Sequence, residues 1–258
     1  MPTFDEQKHA AEAVIERVHS HTVMLAGYPP YFLGTAIALC FAGQYLFLTA
    51  EHVVKDVPDS ELQFSPKHCA SLNVNEPSRN RFQNRTFKLT PLGVIRRFSD
   101  ASVDIAGLVI SREHCSGTEL RFYDLESSPM LSRTIPTNLV TCGYPQDGGK
   151  RIGPAAWSYS PHVLFTKPVA YKRQFLEGFK PRTNFLMNFA PGSDGRDARG
   201  FSGSGVWHVT RSQNASVWSP RISLRGMIVH HYKSSHLLSV VRVARVASFL
   251  KSKLGRVA

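Results

Sequence analysis

The feature that most constrains the fold is a change of periodicity. Between about residue 21 and residue 235, helical spacing mostly vanishes and short β-branched or aromatic runs take its place. These are "HTVMLAG", "TAIALCF", "QYLFLTA", "FKLTPLGVI" and "DIAGLVI", then "NLVTCGYP", "HVLFTKPVAY", "NFLMNFA", "GVWHV" and "RGMIVHHY". Gly, Pro, Asn and Asp punctuate them. Branched and aromatic side chains fit a pleated surface, and the punctuating residues supply turn geometry. Many short strands with regular turn signals predict an all-β, antiparallel sandwich or barrel rather than alternating βαβ units.

The two ends read differently. Thr3 and Glu6 form a capping-box pattern, and Ala10, Ala11, Val14, Ile15 and Val18 recur at helical spacing. Near the other end Val240, Val243, Val246, Phe249 and Leu250 recur in the same way, with Lys251, Lys253 and Arg256 suited to the negative end of a helix dipole. The stretch "HCSGTELRFYDLESSPMLSRTIP" is polar and aperiodic and divides the strands into two sets. The expected organisation is a helix at 1–20, a first β-unit at 21–115, a linker at 116–135, a second β-unit at 136–239 and a helix at 240–258.

Composition excludes several classes. A chain that is 42% hydrophobic and 19% charged has the balance of a folded protein, not of a disordered one. No apolar run reaches the roughly 18 residues needed to span a bilayer. The first twenty residues are polar and carry Asp5, Glu6, Glu12 and Glu16, which is not the order of a secretory signal. A cytoplasmic location is therefore expected, with Cys40, Cys69, Cys115 and Cys142 as reduced thiols. No CxxC pair occurs, and the separation of the adjacent pairs His68–Cys69 and His114–Cys115 fits no common zinc motif, so no metal and no cofactor is expected. The triplets at Asn84 and Asn214 carry no weight without secretion. The formal net charge of +12 attracts polyanions. Its arginines and lysines are scattered, however, and no recognition motif accompanies them, so a nucleic-acid partner stays an alternative.

The stretch "GFSGSGVW", Gly200 to Trp207, is where chemistry enters. Alone it reads as a Gly/Ser loop, and a lone His after an apolar strand reads as structural. Together with "LTAEHVV", which ends an apolar run at His52, and "DIAGLVI", which opens another at Asp104, it gives the order His, Asp, Ser. These runs, with the "GYP" turn at Gly143–Pro145, resemble the trypsin-like serine proteases of the chymotrypsin fold. The resemblance covers nearly all of the chain after the first helix. It implies two antiparallel six-stranded β-barrels, with a catalytic triad of His52, Asp104 and Ser202 in the cleft between them.

The residue types suit that chemistry. A serine hydroxyl attacks only when a base takes its proton, the role the resemblance gives His52. Asp104 would hold the imidazole in the required tautomer and stabilise the imidazolium. The N–H groups of Gly200 and Ser202 would form the oxyanion hole, and Gly203 would allow close chain approach behind the nucleophile. Asp100 is a rival acid and Ser204 a rival nucleophile. The family pattern favours Asp104, which directly starts the apolar strand, and Ser202, two residues after the first glycine. A protein or peptide substrate is implied, with a regulatory protein partner as a further expectation. A catalytically weak, basic binding module is the alternative, and an esterase with the same triad is a third reading.

Two departures stand out. Secreted members place an acidic residue just before the serine, and a new N-terminal ammonium pairs with it after zymogen cleavage. Here Phe201 occupies that position. The chain therefore resembles the bacterial and intracellular branch, which includes glutamyl-endopeptidase-like and heat-shock-protease-like members and lacks the switch. The specificity pocket is less legible. The resemblance places Arg196 at its base and Val229, His230, His231 and Tyr232 along a wall, with Arg199 nearby. These cations favour an acidic substrate residue, whereas Asp194 and Asp197 in the same loop favour a basic one.

Overall fold

Local sequence and tertiary pairing agree over most of the chain. In chain order its first half forms α1 (Phe4–His19), β1 (Thr22–Gly27), β2 (Tyr31–Phe41), β3 (Gln44–Thr49), α2 (Glu51–Val54), β4 (Gln63–Phe64), β5 (Thr90–Pro91), β6 (Val94–Asp100), β7 (Ile105–Ile110), α3 (Arg112–Cys115) and β8 (Tyr123–Asp124). The second half forms β9 (Leu139–Gly143), β10 (Lys150–Gly153), β11 (Ala156–Ser158), β12 (His162–Thr166), β13 (Pro168–Val169), β14 (Asn184–Asn188), β15 (Gly205–Arg211), β16 (Pro220–Tyr232), β17 (Leu237–Arg242) and α4 (Val243–Leu254). The computed structural model describes residues 4–28, 31–65, 89–115, 118, 120–127, 134–146, 150–153, 156–158, 161–171, 176–189, 198–211 and 220–255. Thr3, His68, Cys69, Asn84, Asn214 and Arg256 lie outside them.

Two curled antiparallel sheets carry the fold. The first runs β5-β4-β1-β2-β3-β7-β6, with β8 joined in parallel to β2 at Leu39 and Tyr123. The second runs β12-β9-β15-β16-β17-β14-β13. Setting aside the two-residue pieces β4, β5, β8 and β13 leaves five strands in the first and six in the second, so the double-barrel architecture is the predicted one while the first sheet departs from the expected count of six. The short hairpin β10-β11 stands apart from both.

The alternation of side chains across a strand explains how the barrels join. In β9, β15 and β17, Leu139, Val206 and Val240 turn into the core of the second barrel with Phe185, Met187 and Phe201. Their neighbours Val140, Trp207 and Val241 turn the other way. They enter a larger core shared with the first barrel and with Val14, Val18, Val246 and Phe249 of the two helices. Strands covered on both faces read as continuous apolar runs rather than alternating ones.

That double burial corrects one expected boundary. The C-terminal helix begins at Val243, not at residue 240. Leu237–Arg242 pairs with β16 on one side and β14 on the other, and is almost wholly buried. A strand buried on both faces and the helix that follows it share an unbroken apolar composition, so spacing alone misplaced their junction. The expected linker at 116–135 likewise contains one ordered pairing, β8.

Candidate active site

His52 is delivered by the end of β3. Ala50 stays extended (φ −71°, ψ 142°), and the single turn α2 follows. Val53 and Val54 are buried beneath that turn, which fixes it while the His52 side chain remains 43% exposed. Asp104 closes the tight turn that leads into β7 and has φ +56°, a left-handed conformation that Asp tolerates better than most residues. Its Oδ2 lies 2.7 Å from His52 Nδ1, and its Oδ1 accepts the His52 backbone N–H at 3.0 Å. Burial pushes the Asp104 carboxyl up. The hydrogen bonds from the His52 side chain and backbone, with a further one from the Glu51 backbone, outweigh that and hold it below the usual carboxylate range. The rival Asp100 is engaged elsewhere, accepting from Ser102 Oγ at 2.6 Å and pairing with Arg245 at 3.1 Å.

The turn around Ser202 is defined by its hydrogen bonds. The N–H groups of Phe201, Gly203 and Ser204 donate to the carbonyls of Ala198, Ile228 and Phe201, at 3.0, 2.8 and 2.9 Å. Those of Gly200 and Ser202 donate to no protein group among the described residues. In a trans peptide the N–H points opposite to the preceding carbonyl. The carbonyl of Arg199 is fixed by Gln146 N at 2.8 Å and that of Phe201 by Ser204 N, so the planes carrying both spared N–H groups are set. Gly200 (φ +97°) and Gly203 (φ +90°) make the turn possible. A Cβ on Gly200 would stand 2.2 Å from Tyr144 O, and one on Gly203 1.9 Å from Thr35 O.

The turn and the histidine meet over Gly34. A Cβ there would stand 2.9 Å from Val53 Cγ1, beside His52, and 3.4 Å from Ser202 O. No hydrogen bond joins His52 to the Ser202 hydroxyl among the described residues. Ser202 is half-exposed, whereas Ser204 is fully buried with its Oγ against Gly143. Of the two serines, Ser204 is closed to solvent and Ser202 is not.

The expected pocket residues are treated unequally. Arg196, with Asp194 and Asp197, lies outside the described residues. Arg199 and His230 are exposed, and Val229 is buried. His231 packs edge-on against Phe189, with ring centroids 4.9 Å apart. Tyr232 is 9% exposed, and its hydroxyl donates to Glu177 O at 2.8 Å, so its side chain is engaged in the barrel. Sequence reasoning missed Phe189 and His162, whose rings flank buried Phe201, each with its centroid 6.2 Å from that ring. It also missed Thr35, a fully buried hydroxyl at the centre of the site. The available signal was a lone polar residue inside the apolar run "GTAIALCF".

Among the described residues no group of three or more His, Cys, Asp or Glu side chains stands together as metal ligands do. Among them, too, no helix is long and apolar enough to cross a membrane. No protein-family model and no curated protein matches the chain. Among solved structures the chain is similar to a serine endoprotease from Yersinia pestis. The two are 16% identical with a TM-score of 0.54, over 100% of this chain and 68% of that one. It is similar also to the scabies mite inactivated protease paralogue S-I1, at 17% identity and a TM-score of 0.53, over 93% of this chain and 96% of that one. The class that these likenesses define is the chymotrypsin-like double barrel, with a helix at each end.

Proposed function

We propose that the protein is a serine endopeptidase acting on a protein or peptide substrate through Ser202, His52 and Asp104. The observation that carries this reading is the Asp104–His52 pair, which leaves Nε2 of the imidazole as the only ring nitrogen available to a hydroxyl. His52 Nε2 takes the Ser202 proton as Oγ attacks the scissile carbonyl, and the N–H groups of Gly200 and Ser202 receive the oxyanion. The protonated imidazole, stabilised by Asp104, then gives that proton to the leaving amine as the C–N bond breaks. Water, deprotonated in turn by His52, releases the acyl group and restores Ser202. The absence of a His52–Ser202 hydrogen bond without substrate is compatible with this, since such bonds often tighten only in the Michaelis complex. The free thiols Cys40 and Cys142 support a reducing, cytoplasmic setting.

A fluorophosphonate probe tests the reading. Wild-type protein is expected to be labelled at Ser202, and Ser202→Ala and His52→Ala to lose labelling. An unlabelled wild type, or equal labelling of Ser202→Ala, sinks it. Cleavage of a peptide library by the same preparation separates an endopeptidase from an esterase and reads the pocket preference.

A second reading has its own observation. The net charge is +12, and one structural neighbour is described as an inactivated protease paralogue. A catalytically weak double barrel binding nucleic acid or an acidic protein would fit both. Steeply salt-dependent RNA or DNA binding that survives Ser202→Ala, with no labelling of the wild type, favours it.

A further inference from the structure

Four consecutive carbonyls, those of residues 199 to 202, shape the turn around Ser202, and one residue outside the turn holds two of them directly, one through its side chain and one through its backbone. Thr35 is a fully buried residue of β2 in the first barrel. Its hydroxyl donates to Gly200 O at 2.7 Å and accepts the Tyr144 N–H at 3.1 Å. Its backbone N–H donates to Ser202 O at 3.1 Å. Its carbonyl accepts from Thr49 Oγ1 at 2.7 Å. Thr49 is the last residue of the strand that delivers His52.

We propose that Thr35 is a positioning residue for the reaction at Ser202, holding the turn in the one arrangement that leaves the Gly200 and Ser202 N–H groups free for an oxyanion. The inference rests on the endopeptidase reading above. Thr35 holds the carbonyls of Gly200 and Ser202 itself. Through Tyr144 it holds the 143–146 turn, whose Gln146 N–H fixes the third carbonyl, that of Arg199. Only Phe201 O is fixed within the turn, by Ser204. Oxyanion donors work because they are aimed before charge develops, so a turn free to rotate a peptide plane loses their advantage. The same residue reaches the histidine strand through Thr49. The base and the nucleophile, carried on different barrels, are thereby referred to one buried residue, through its hydroxyl on the side of the serine turn and its backbone carbonyl on the side of the histidine strand. A threonine does this because one hydroxyl both donates and accepts while its methyl tolerates a packed interior.

Thr35→Val keeps the shape and removes the hydroxyl, leaving Gly200 O and Tyr144 N without their partner. Thr35→Ser keeps the hydroxyl. For Thr35→Val, kcat for a peptide substrate and the rate of fluorophosphonate labelling are each expected to fall roughly 10- to 100-fold, with KM within about threefold. Thr35→Ser is expected to stay within about threefold of wild type in all three. Urea unfolding of each variant separates position from stability. A Thr35→Val protein that is less stable yet turns over and labels like wild type overturns the inference. So does a Thr35→Ser protein as impaired as Thr35→Val. Thr35→Ala carries the same prediction and the same overturning result should the valine variant not fold. An unlabelled wild type overturns the nucleophile reading and this inference together, whereas a labelled wild type matched by Thr35→Val overturns this inference alone.

Discussion

Asp104 holds His52 through both oxygens of one carboxylate, Oδ2 to the ring Nδ1 at 2.7 Å and Oδ1 to the backbone N–H at 3.0 Å. The first bond sets the imidazole tautomer and the second sets where the helical turn carrying it begins. Asp104→Asn preserves size but cannot stabilise an imidazolium, and its amide can donate where Nδ1–H must. We expect kcat to fall by about 10⁴, the size of that loss in the prototype serine protease, with KM little changed. Steady-state hydrolysis of a peptide found by library cleavage measures it. A loss under tenfold would mean that the pair is structural.

The same pair gives a signed pH dependence of stability. The Asp104 carboxyl is held below its ordinary value of 3.8 by the His52 hydrogen bonds, which outweigh burial. A depressed carboxylate contributes stability that is fully present above its unfolded pKa and is lost as pH falls through the folded one. Above about pH 5 the wild type is therefore expected to be more stable than Asp104→Asn by the full contribution of this carboxylate. That margin narrows below about pH 4. Urea midpoints at a series of pH values check this. A margin that widens as pH falls below about 4 contradicts the sign.

Gly203 separates a steric requirement from a conformational one. Its φ is +90°, and an added Cβ would stand 1.9 Å from Thr35 O and 2.4 Å from Thr49 Oγ1. Gly43 also has positive φ, at +72°, yet a Cβ there meets nothing within 4 Å. Gly43→Ala is expected to cost only the left-handed strain, about 1–2 kcal/mol. Gly203→Ala adds overlap with fixed backbone and is expected to cost about 3–5 kcal/mol. Urea unfolding of the two variants measures the difference, and equal costs would rule out the close approach.

Much of this was legible in the sequence, for identifiable reasons. Strand runs and turn residues are local signals, so an antiparallel β fold in two sheets with a helix at each end was legible. The Asp104–His52 contact was reached through a family resemblance in motif order and spacing and not through any local pattern, because residues 52 positions apart meet only by tertiary pairing of β3 with β7. The β17–α4 junction was misplaced because burial on both faces erases the period-2 signal. Thr35 was legible only as a lone polar residue in an apolar run, and its role was not legible at all. Its importance lies in four hydrogen bonds, made to residues between 14 and 167 positions away, and no local pattern encodes them.

Cys142 reports on opening of the joint between the barrels. It lies in the shared core, fully buried, and burial pushes its thiol up to about 12. At pH 8 the thiolate that alkylates is nearly absent, and no reagent reaches it. Iodoacetamide is expected to leave Cys142 unmodified in native protein over hours and to modify it readily in urea. Peptide mass mapping after a timed pulse checks this. Rapid native modification would show that the joint opens far below the global unfolding free energy.

Phe201 takes the position where the resemblance to trypsin-like proteases would place the acid of the secreted members' activation switch, and the environment it occupies is apolar. The side chain is 1% exposed, packed with Phe189, His162 and the core of the second barrel. The turn is thus anchored by burial where an ion pair would otherwise order it. Phe201→Leu keeps most of that contact and is expected to cost about 1–2 kcal/mol with kcat within a few-fold of wild type. Phe201→Ala leaves a cavity worth about 3–5 kcal/mol. Phe201→Asp restores the acid of the secreted enzymes but buries a charge among aromatic rings. It is expected to cost more than the alanine variant and to lose activity, because a buried carboxylate without a partner ionises only at great expense. Extending the N-terminus by a short peptide, which would disable an ammonium-dependent switch, is expected to leave kcat unchanged in the wild type. Peptide hydrolysis by the wild type, the three variants, and N-terminally extended forms of the wild type and of Phe201→Asp decides the matter. Activity in Phe201→Asp that depends on a free N-terminus would show that an ion pair can still order this turn, and that the apolar anchor is dispensable.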